Sequence, residues 1–248
     1  MTGPLRALVF GGSGAVGGAV CRALAADGAR IAFTYRTGEK AALDLAKELP
    51  GSLALPLDLL SVRDIERTVD GVASALGGLD AFVQCAGIAI TAEGARPRIH
   101  QRMPDVDEAG WDRILDVNAK STFFAVRRVS EVMRRGGGGN IVFIGSVDGV
   151  KPAPSPVHYA ASKGALAGMT LAMSKELGEH HIRINMVAPG ILEGGLSRSL
   201  PEDLQKEYLK HCGLKRVGRL SEIAAIVAWL ARHNTYVTGR VLLADGAL

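Results

Sequence analysis

Cysteine is scarce in this chain: 3 in 248 residues, an odd number, at Cys21, Cys85 and Cys212, with no CxxC pair. That pattern argues against a disulfide framework and a structural zinc site, and makes a reducing compartment the default. No apolar run approaches the roughly 20 residues that a membrane-spanning helix needs. The N-terminus lacks a basic segment, a long apolar run and a cleavage site. No secretory signal is therefore expected, and the expected location is the cytoplasm. There is no internal repeat, no linker-like segment, and no low-complexity run beyond Gly136–Gly139. One domain over residues 1–248 is the expectation. Net charge is +4, but the basic residues are scattered, so neither nucleic acid nor a membrane is an expected partner. An anionic cofactor or substrate fits the balance equally well.

What is present reads as a globular α/β chain, with 48% hydrophobic and 22% charged residues. Leu5 to Phe10 is an apolar run long enough for a buried strand. A glycine cluster follows at Gly11, Gly12, Gly14, Gly17 and Gly18, and Ala15 to Ala26 then reads as a helix. A strand, a glycine loop and a helix together can hold a dinucleotide pyrophosphate: glycines admit the phosphates to backbone N–H groups, and a helix N-terminus favours their charge. Arg30 to Tyr35 reads as a second strand. An acidic residue at its end would accept from an adenosine ribose 2′-hydroxyl, but Arg36-Thr37 stands there. A guanidinium pairs with a 2′-phosphate, which predicts NADP over NAD.

Further helix patterns cover Gly38 to Leu49, Ser61 to Leu76 with Ser61 as N-cap, Trp111 to Arg135, Tyr159 to His180, Pro201 to Lys210, and Ser221 to Arg232 with Ser221 as cap. Strand patterns cover Ser52 to Leu57, Asp80 to Gln84, Asn140 to Gly145, Arg183 to Ala188 and Val241 to Leu243. The alternation predicts βαβ units and a parallel sheet. Periodicity is lost from Ile88 to Glu108, a segment carrying Arg96, Arg98, His100 and Arg102 that would lie at the ligand-binding edge of such a sheet.

The sharpest chemical feature is Tyr159-Ala160-Ala161-Ser162-Lys163, 13 residues after Ser146. Positions i and i+4 share a helix face. A lysine cation there would favour phenolate and pull the tyrosine down from about 10 toward a value useful for acid–base work.

Taken together, these residues resemble the short-chain dehydrogenase/reductase family over nearly the whole chain. The resemblance rests on the loop from Gly11 to Gly17, Asp58, Cys85-Ala86-Gly87, Asn118, Ser146, Tyr159, Lys163, Pro189-Gly190, Thr238-Gly239 and Asp245-Gly246. It implies a doubly wound Rossmann fold with a seven-stranded parallel sheet, in a dimer or tetramer. It also implies roles: Tyr159 exchanges a proton with the carbonyl oxygen, Ser146 hydrogen-bonds that oxygen, Lys163 binds the nicotinamide ribose, and Asn118 orders a water beside Lys163. The cofactor, NADPH or NADP+, would meet Gly11, Gly12, Ser13, Gly14, Val16, Gly17, Arg36, Thr37, Asp58, Leu59, Cys85, Ala86, Gly87, Tyr159, Lys163, Pro189, Gly190 and Leu192; no metal is implied.

Within the family, Phe143 to Ser146, Tyr159 to Leu166, Asn185 to Gly190 and Leu214-Lys215-Arg216 are similar to the β-ketoacyl-carrier-protein reductases of fatty-acid or polyketide synthesis. The implied substrate is a 3-oxoacyl thioester, with an acyl carrier protein as a partner. Lys175, His180 and His181, or Arg134 and Arg135, would be the charges that meet the carrier. Departures are Phe10 where the family has threonine, Ala15 at its middle glycine, where a methyl would crowd the pyrophosphate, and Cys85 at an asparagine. They keep open a dehydrogenase of another ketone or alcohol, and a catalytically weak cofactor-binding sensor or partner subunit.

Overall fold

A computed structural model of the chain describes residues 3–89 and 102–248. Seven strands form one parallel sheet: β1 (Arg6–Phe10), β2 (Arg30–Tyr35), β3 (Leu53–Pro56), β4 (Ala81–Gln84), β5 (Gly139–Ile144), β6 (Ile182–Pro189) and β7 (Arg240–Ala244). Their spatial order is β3-β2-β1-β4-β5-β6-β7, with every adjacent pair parallel. This is the parallel sheet that the alternation of patterns predicts, in the doubly wound, seven-stranded form that the family resemblance implies.

Strand β1 shows why both faces are covered. Its side chains alternate, yet Ala7, Leu8, Val9 and Phe10 are all fully buried. Leu8 and Phe10 enter a core shared with helices α3 (Val62–Leu76), α5 (Ser121–Arg135) and α6 (Val157–Gly178). Ala7 and Val9 enter a second core with α1 (Ala15–Ala26), α2 (Glu39–Glu48) and α8 (Leu220–Arg232). A strand buried on both faces reads as a near-continuous apolar run, as Ala7-Leu8-Val9-Phe10 does, while Arg6 at the strand start is only partly buried and pairs with Asp80. Phe10 packs edge-on against Phe82, ring centroids 5.0 Å apart, so its side chain belongs to the core.

Three boundaries differ from expectation. The stretch expected as one helix from Trp111 to Arg135 is α4 (Glu108–Leu115), a π turn at Asp116–Lys120, and α5. Ser121 Oγ and Thr122 Oγ1 bond back to the carbonyls of Val117 and Asn118, at 2.6 and 2.8 Å, so hydroxyls cover oxygens in the widened turn. Helix α8 starts one residue before Ser221; its cap position is Arg219, whose N–H donates to Glu222 Oε2 at 2.8 Å. Helix α6 closes at Gly178, ahead of the left-handed His181. The expected N-cap at Ser61 is present, its Oγ accepting from Asp64 N–H at 3.2 Å.

Of the segment from Ile88 to Glu108, residues 90–101 lie outside the described residues, Arg96, Arg98 and His100 among them. The remainder holds a 3-10 turn at Met103–Asp105 and the start of α4, capped by Asp107.

Candidate active site

The sheet's connections run in opposite directions on either side of the β1–β4 pair, so a crevice opens at the carboxyl ends of these strands. Gly11 follows β1 there with φ +77, and a β-carbon on it would stand 2.7 Å from Ala86 Cα, just past the end of β4. The two loops can touch only because residue 11 has no side chain. Gly17 is tighter: a β-carbon would fall 2.1 Å from Gly11 O. Gly11 N–H donates to the buried Thr34 Oγ1 at 3.1 Å, which ties the loop to β2.

The start of α1 fits a dinucleotide phosphate. Gly14 occupies the cap position without a side-chain bond, and the first turn has no acidic residue. The leading N–H groups of a helix have no partner within it, and the helix dipole favours an anion there. Ala15, whose methyl is expected to crowd the pyrophosphate, is the first residue of this helix. A β-carbon at Gly194 or Gly195 would sit 3.7 Å from that of Ala15, which places this glycine pair over the helix start.

At the end of β2, Arg36 and Thr37 are exposed, and Arg36 forms no ion pair among the described residues. Ser13 Oγ lies 3.2 Å from where a β-carbon on Gly38 would be, so the glycine loop abuts the Arg36 turn. Asp58 is exposed after β3, and its Oδ1 accepts from Leu60 N–H at 3.1 Å across Leu59. Cys85 packs with the core around α1, and burial pushes its thiol up.

Ser146 follows β5 and caps a 3-10 turn at Val147–Gly149. Tyr159 and Lys163 face the same space from α6. Lys163 is 6% exposed; its Nζ donates to Ile144 O at 3.1 Å and stands 5.7 Å from the Tyr159 ring centroid. Gly87 is close by: a β-carbon on it would meet Asn118 Oδ1 at 3.2 Å and Lys163 Nζ at 3.5 Å. Asn118 is fully engaged. Its Oδ1 accepts from Ile88 N–H at 2.8 Å, and its Nδ2 donates to Ile88 O at 2.9 Å and to Ser162 Oγ at 3.0 Å. Ser162 in turn donates to Tyr159 O at 2.7 Å. The π turn brings Asn118 to this position, and through it the end of β4 is pinned to the helix that carries Tyr159.

The electrostatics correct one expectation. Tyr159 does not stand below the usual phenol range but above it: burial raises it, the Asp148 carboxyl raises it further, and a hydrogen bond with Ser146 opposes them. The lysine one turn away does not reverse this. Burial lowers Lys163 itself to about 8, against the upward pull of Cys85 and Asp148. An ammonium several ångströms from the ring cannot outweigh the loss of water around the hydroxyl.

Beyond Pro189, Gly190 N–H donates to Ala244 O at 3.2 Å, and a β-carbon on Gly190 would lie 2.0 Å from Tyr208 Oη. Tyr208, on α7 (Glu202–His211), accepts from Ile191 N–H and donates to Asp245 O, both at 3.1 Å. Lys151 Nζ donates to Asp245 Oδ2 at 2.9 Å and to the Leu248 carbonyl. Leu192 is buried and bridges to Gly218. One helix, the loop after Ser146 and the chain end therefore close on the same corner.

The sequence reading missed Asp148, Ser162, Tyr208 and Lys151. Asp148 sits two residues after Ser146, where a loop reading says nothing about direction, and Ser162 was already visible inside the Tyr159–Lys163 stretch. The basic residues expected beside the site lie elsewhere. Arg134 and Arg135 end α5 and precede β5, while Ser146 follows β5. His181 O accepts from Gly139 N–H at 3.2 Å, so His180 and His181 share that far edge, and Lys175 is in the last turn of α6. A helix of 15 residues spans roughly 22 Å, which is the scale of that separation.

Residues 12–248 match the family profile described as Enoyl-(Acyl carrier protein) reductase. The 3-oxoacyl-(acyl-carrier-protein) reductase FabG of Chlamydia muridarum is 32% identical over 247 residues, covering 98% of this chain and 96% of that protein. The acetoacetyl-CoA reductase of Allochromatium vinosum is 29% identical, covering 98% and 97%. Among solved structures, a blue fluorescent protein from a metagenomic library in complex with NADPH superposes with a TM-score of 0.88 at 32% identity, covering 99% of this chain and 97% of that one.

Proposed function

Because the chain belongs to the short-chain dehydrogenase/reductase family, we propose that it reduces the ketone of a 3-oxoacyl thioester to a secondary alcohol with NADPH. The observation that carries this reading is the convergence of Ser146, Tyr159 and Lys163 on the crevice where the glycine loop meets the end of β4. When bound, NADPH supplies the hydride that the carbonyl carbon takes up. The chain's own groups do the rest. The N-terminus of α1 holds the pyrophosphate, and Arg36 pairs with the 2′-phosphate. Tyr159 keeps its proton at working pH, because burial disfavours phenolate, and gives it to the carbonyl oxygen. Ser146 hydrogen-bonds the same oxygen. Lys163 steadies the nicotinamide ribose, and Asn118 holds the strand end and the catalytic helix in register.

The exposed apolar side chains Phe123, Leu171, Trp229 and Leu243 fit a homo-oligomer, dimer or tetramer. No helix among the described residues is long and apolar enough to cross a membrane. We place the enzyme in the cytoplasm, in fatty-acid or polyketide-type synthesis, with the whole chain acting as one domain. The thioester is carried by coenzyme A or by an acyl carrier protein. Within one chain, Arg134, Arg135 and the His180–His181 pair occupy the edge of the sheet opposite the site entrance, so a carrier docking at that chain's entrance would meet other charges.

The test is loss of nicotinamide absorbance with NADPH and NADH in parallel, on a 3-oxoacyl thioester, its 2-enoyl counterpart and a carrier-free ketone. Turnover of the 3-oxo compound with NADPH, abolished in Tyr159→Phe, is the expected result. Turnover of the enoyl compound alone would move the chemistry to the double bond. NADPH binding without turnover of any of them would favour the sensor reading.

A further inference from the structure

Lys151, Tyr208 and Asp245 have no part in the reaction above, yet they join two walls of the crevice. The turn after Ser146 is closed by its own backbone. Gly149 N–H donates to Ser146 O at 3.3 Å, Val150 N–H to Val147 O at 3.0 Å, and Lys151 N–H to Val147 O at 2.8 Å. Lys151 is thereby fixed to the serine's turn. Its ammonium reaches the Asp245 carboxylate, 2.9 Å away, where the lysine side chain is 27% exposed and the aspartate's 8%. Tyr208 meets the same residue through its backbone. The phenol donates to Asp245 O and accepts from Ile191 N–H, so its proton and a lone pair are both used.

The N–H groups that follow Pro189 each have a different partner. Gly190 N–H donates to Ala244 O at 3.2 Å, Ile191 N–H to Tyr208 Oη at 3.1 Å, and Leu192 N–H to Ser197 Oγ at 3.2 Å. The second of these partners comes from α7. No residue of α7 is buried, so packing holds that helix weakly and its hydrogen bonds decide where it sits. They converge on the turn at Asp245. Just past α7, Cys212 Sγ donates to Gly246 O at 3.3 Å, while Gly213 N–H donates to Ala247 O and Leu214 N–H to Gly246 O, both at 3.0 Å. The phenol fits only against bare backbone, since a β-carbon on Gly190 would lie 2.0 Å from its oxygen. Asp245 is itself held: its Oδ1 accepts from Ala247 N–H at 3.1 Å, and Ala244 before it pairs with Pro189 across β6 and β7.

We propose that Lys151 and Tyr208 are positioning residues that act as a pair through Asp245, holding the Ser146 turn and residues 189–192 at the separation the reaction needs. The proposal rests on the ketone-reducing reading of this site. In that reading the first wall carries the hydroxyl that meets the carbonyl oxygen, and the second meets the cofactor that supplies hydride to the carbonyl carbon. Proton and hydride go to the two ends of one bond, so the walls must keep register to within about 0.5 Å. An ion pair on one side of a buried residue and a doubly bonded phenol on the other are both directional, and neither tolerates a shift of the shared residue. The link is therefore a single mechanical unit: breaking it at Lys151 or at Tyr208 releases the same register.

Two measurements test this separately from the function. The first needs no substrate: exchange of the Ile191 amide proton is followed by NMR in the full chain. Lys151→Met removes an ammonium whose bonds are to Asp245 and Leu248. Exchange at Ile191 should nevertheless quicken about tenfold, because the residue that anchors Tyr208 loosens. An unchanged rate overturns the proposal. Lys151→Met strands a buried carboxylate, so if it does not fold the measurement is made on Lys151→Met/Asp245→Asn, which removes the charge and keeps the carbonyl that Tyr208 uses. The second measurement is a double-mutant cycle on ketone reduction with saturating NADPH, far below the melting temperature. Tyr208→Phe and the Lys151 variant should each lower kcat and kcat/KM for the ketone together by about tenfold, a part of the roughly 100-fold that a 1 Å misplacement costs. The combined variant should also be slower by about tenfold, since both substitutions break one link, whereas independent defects would multiply to about 100-fold. A multiplied loss, or a lowered melt with kcat unchanged, defeats the proposal. Faster Ile191 exchange in a protein that turns over no ketone would instead remove the ketone reading and leave the link through Asp245 in place.

Discussion

Substitution of Gly17 by alanine separates cofactor binding from folding. The new β-carbon would stand 2.1 Å from Gly11 O, 2.8 Å from Gly11 C and 2.9 Å from Gly12 Cα. All three are backbone atoms of the loop proposed to meet the pyrophosphate, so no side chain can yield. Restoring an ordinary contact requires a displacement of about 1 Å, and a misplacement of that size costs roughly 100-fold where geometry matters, or about 2.8 kcal/mol. Alanine in a helix interior returns up to about 1 kcal/mol relative to glycine, which moderates the effect on stability. The expected result is NADPH affinity weakened about 100-fold, read by fluorescence titration, in a protein whose circular dichroism is native. Gly28→Ala is the control. Gly28 has φ +76 and open space around it, so alanine there should cost about 1–2 kcal/mol of stability and leave NADPH binding unchanged. If Gly17→Ala bound NADPH within about threefold of wild type, the loop would not be the pyrophosphate cradle.

Arg36→Glu should weaken NADPH binding by about 2 kcal/mol, roughly 30-fold, and leave NADH affected far less; equal losses for both cofactors would contradict a 2′-phosphate contact. Asn118→Ala removes bonds to both backbone groups of Ile88 and to Ser162, and should cost about 3 kcal/mol; a thermal melt lowered by less than 2 °C would refute that account. Asp80 holds Arg6 through its side chain and backbone at 2.6–2.9 Å, and although burial alone would raise its carboxyl, these bonds bring it below the usual range. Its folded-state pKa is depressed, so the folded form binds fewer protons than the unfolded one. The stabilisation is fully present above the unfolded value near 4 and is lost as pH falls through the folded value. Asp80→Asn should therefore destabilise at neutral pH and flatten the acid limb of a stability–pH curve; unchanged acid sensitivity would show that another carboxylate governs it.

Much of the fold was legible in the chain because it is set locally. The apolar run of β1 from Ala7 to Phe10, the glycines behind it, and the 3.6-residue periodicity of α1 and α3 each depend on near neighbours. The spacing from Ser146 to Tyr159 and Lys163 was visible for the same reason, as was the basic character of the β2 end. Three things were not. The π turn at Asp116–Lys120 arises where Asn118 must reach both Ile88 and Ser162, partners 30 and 44 residues away, and no periodicity records that demand. The position of Arg134, Arg135 and His181 at the far edge follows from the antiparallel course of their helices against the strands. The protonation of Tyr159 depends on how much water the surrounding helices and loops exclude and on the carboxyl of Asp148, so the i, i+4 lysine that the sequence displays could not decide its sign. Sequence by itself determined the order of strands and helices and the types of residue on which the proposed chemistry rests. Only the tertiary structure decided which of them meet and with what charge, because burial and long-range hydrogen bonds are properties of the packed chain.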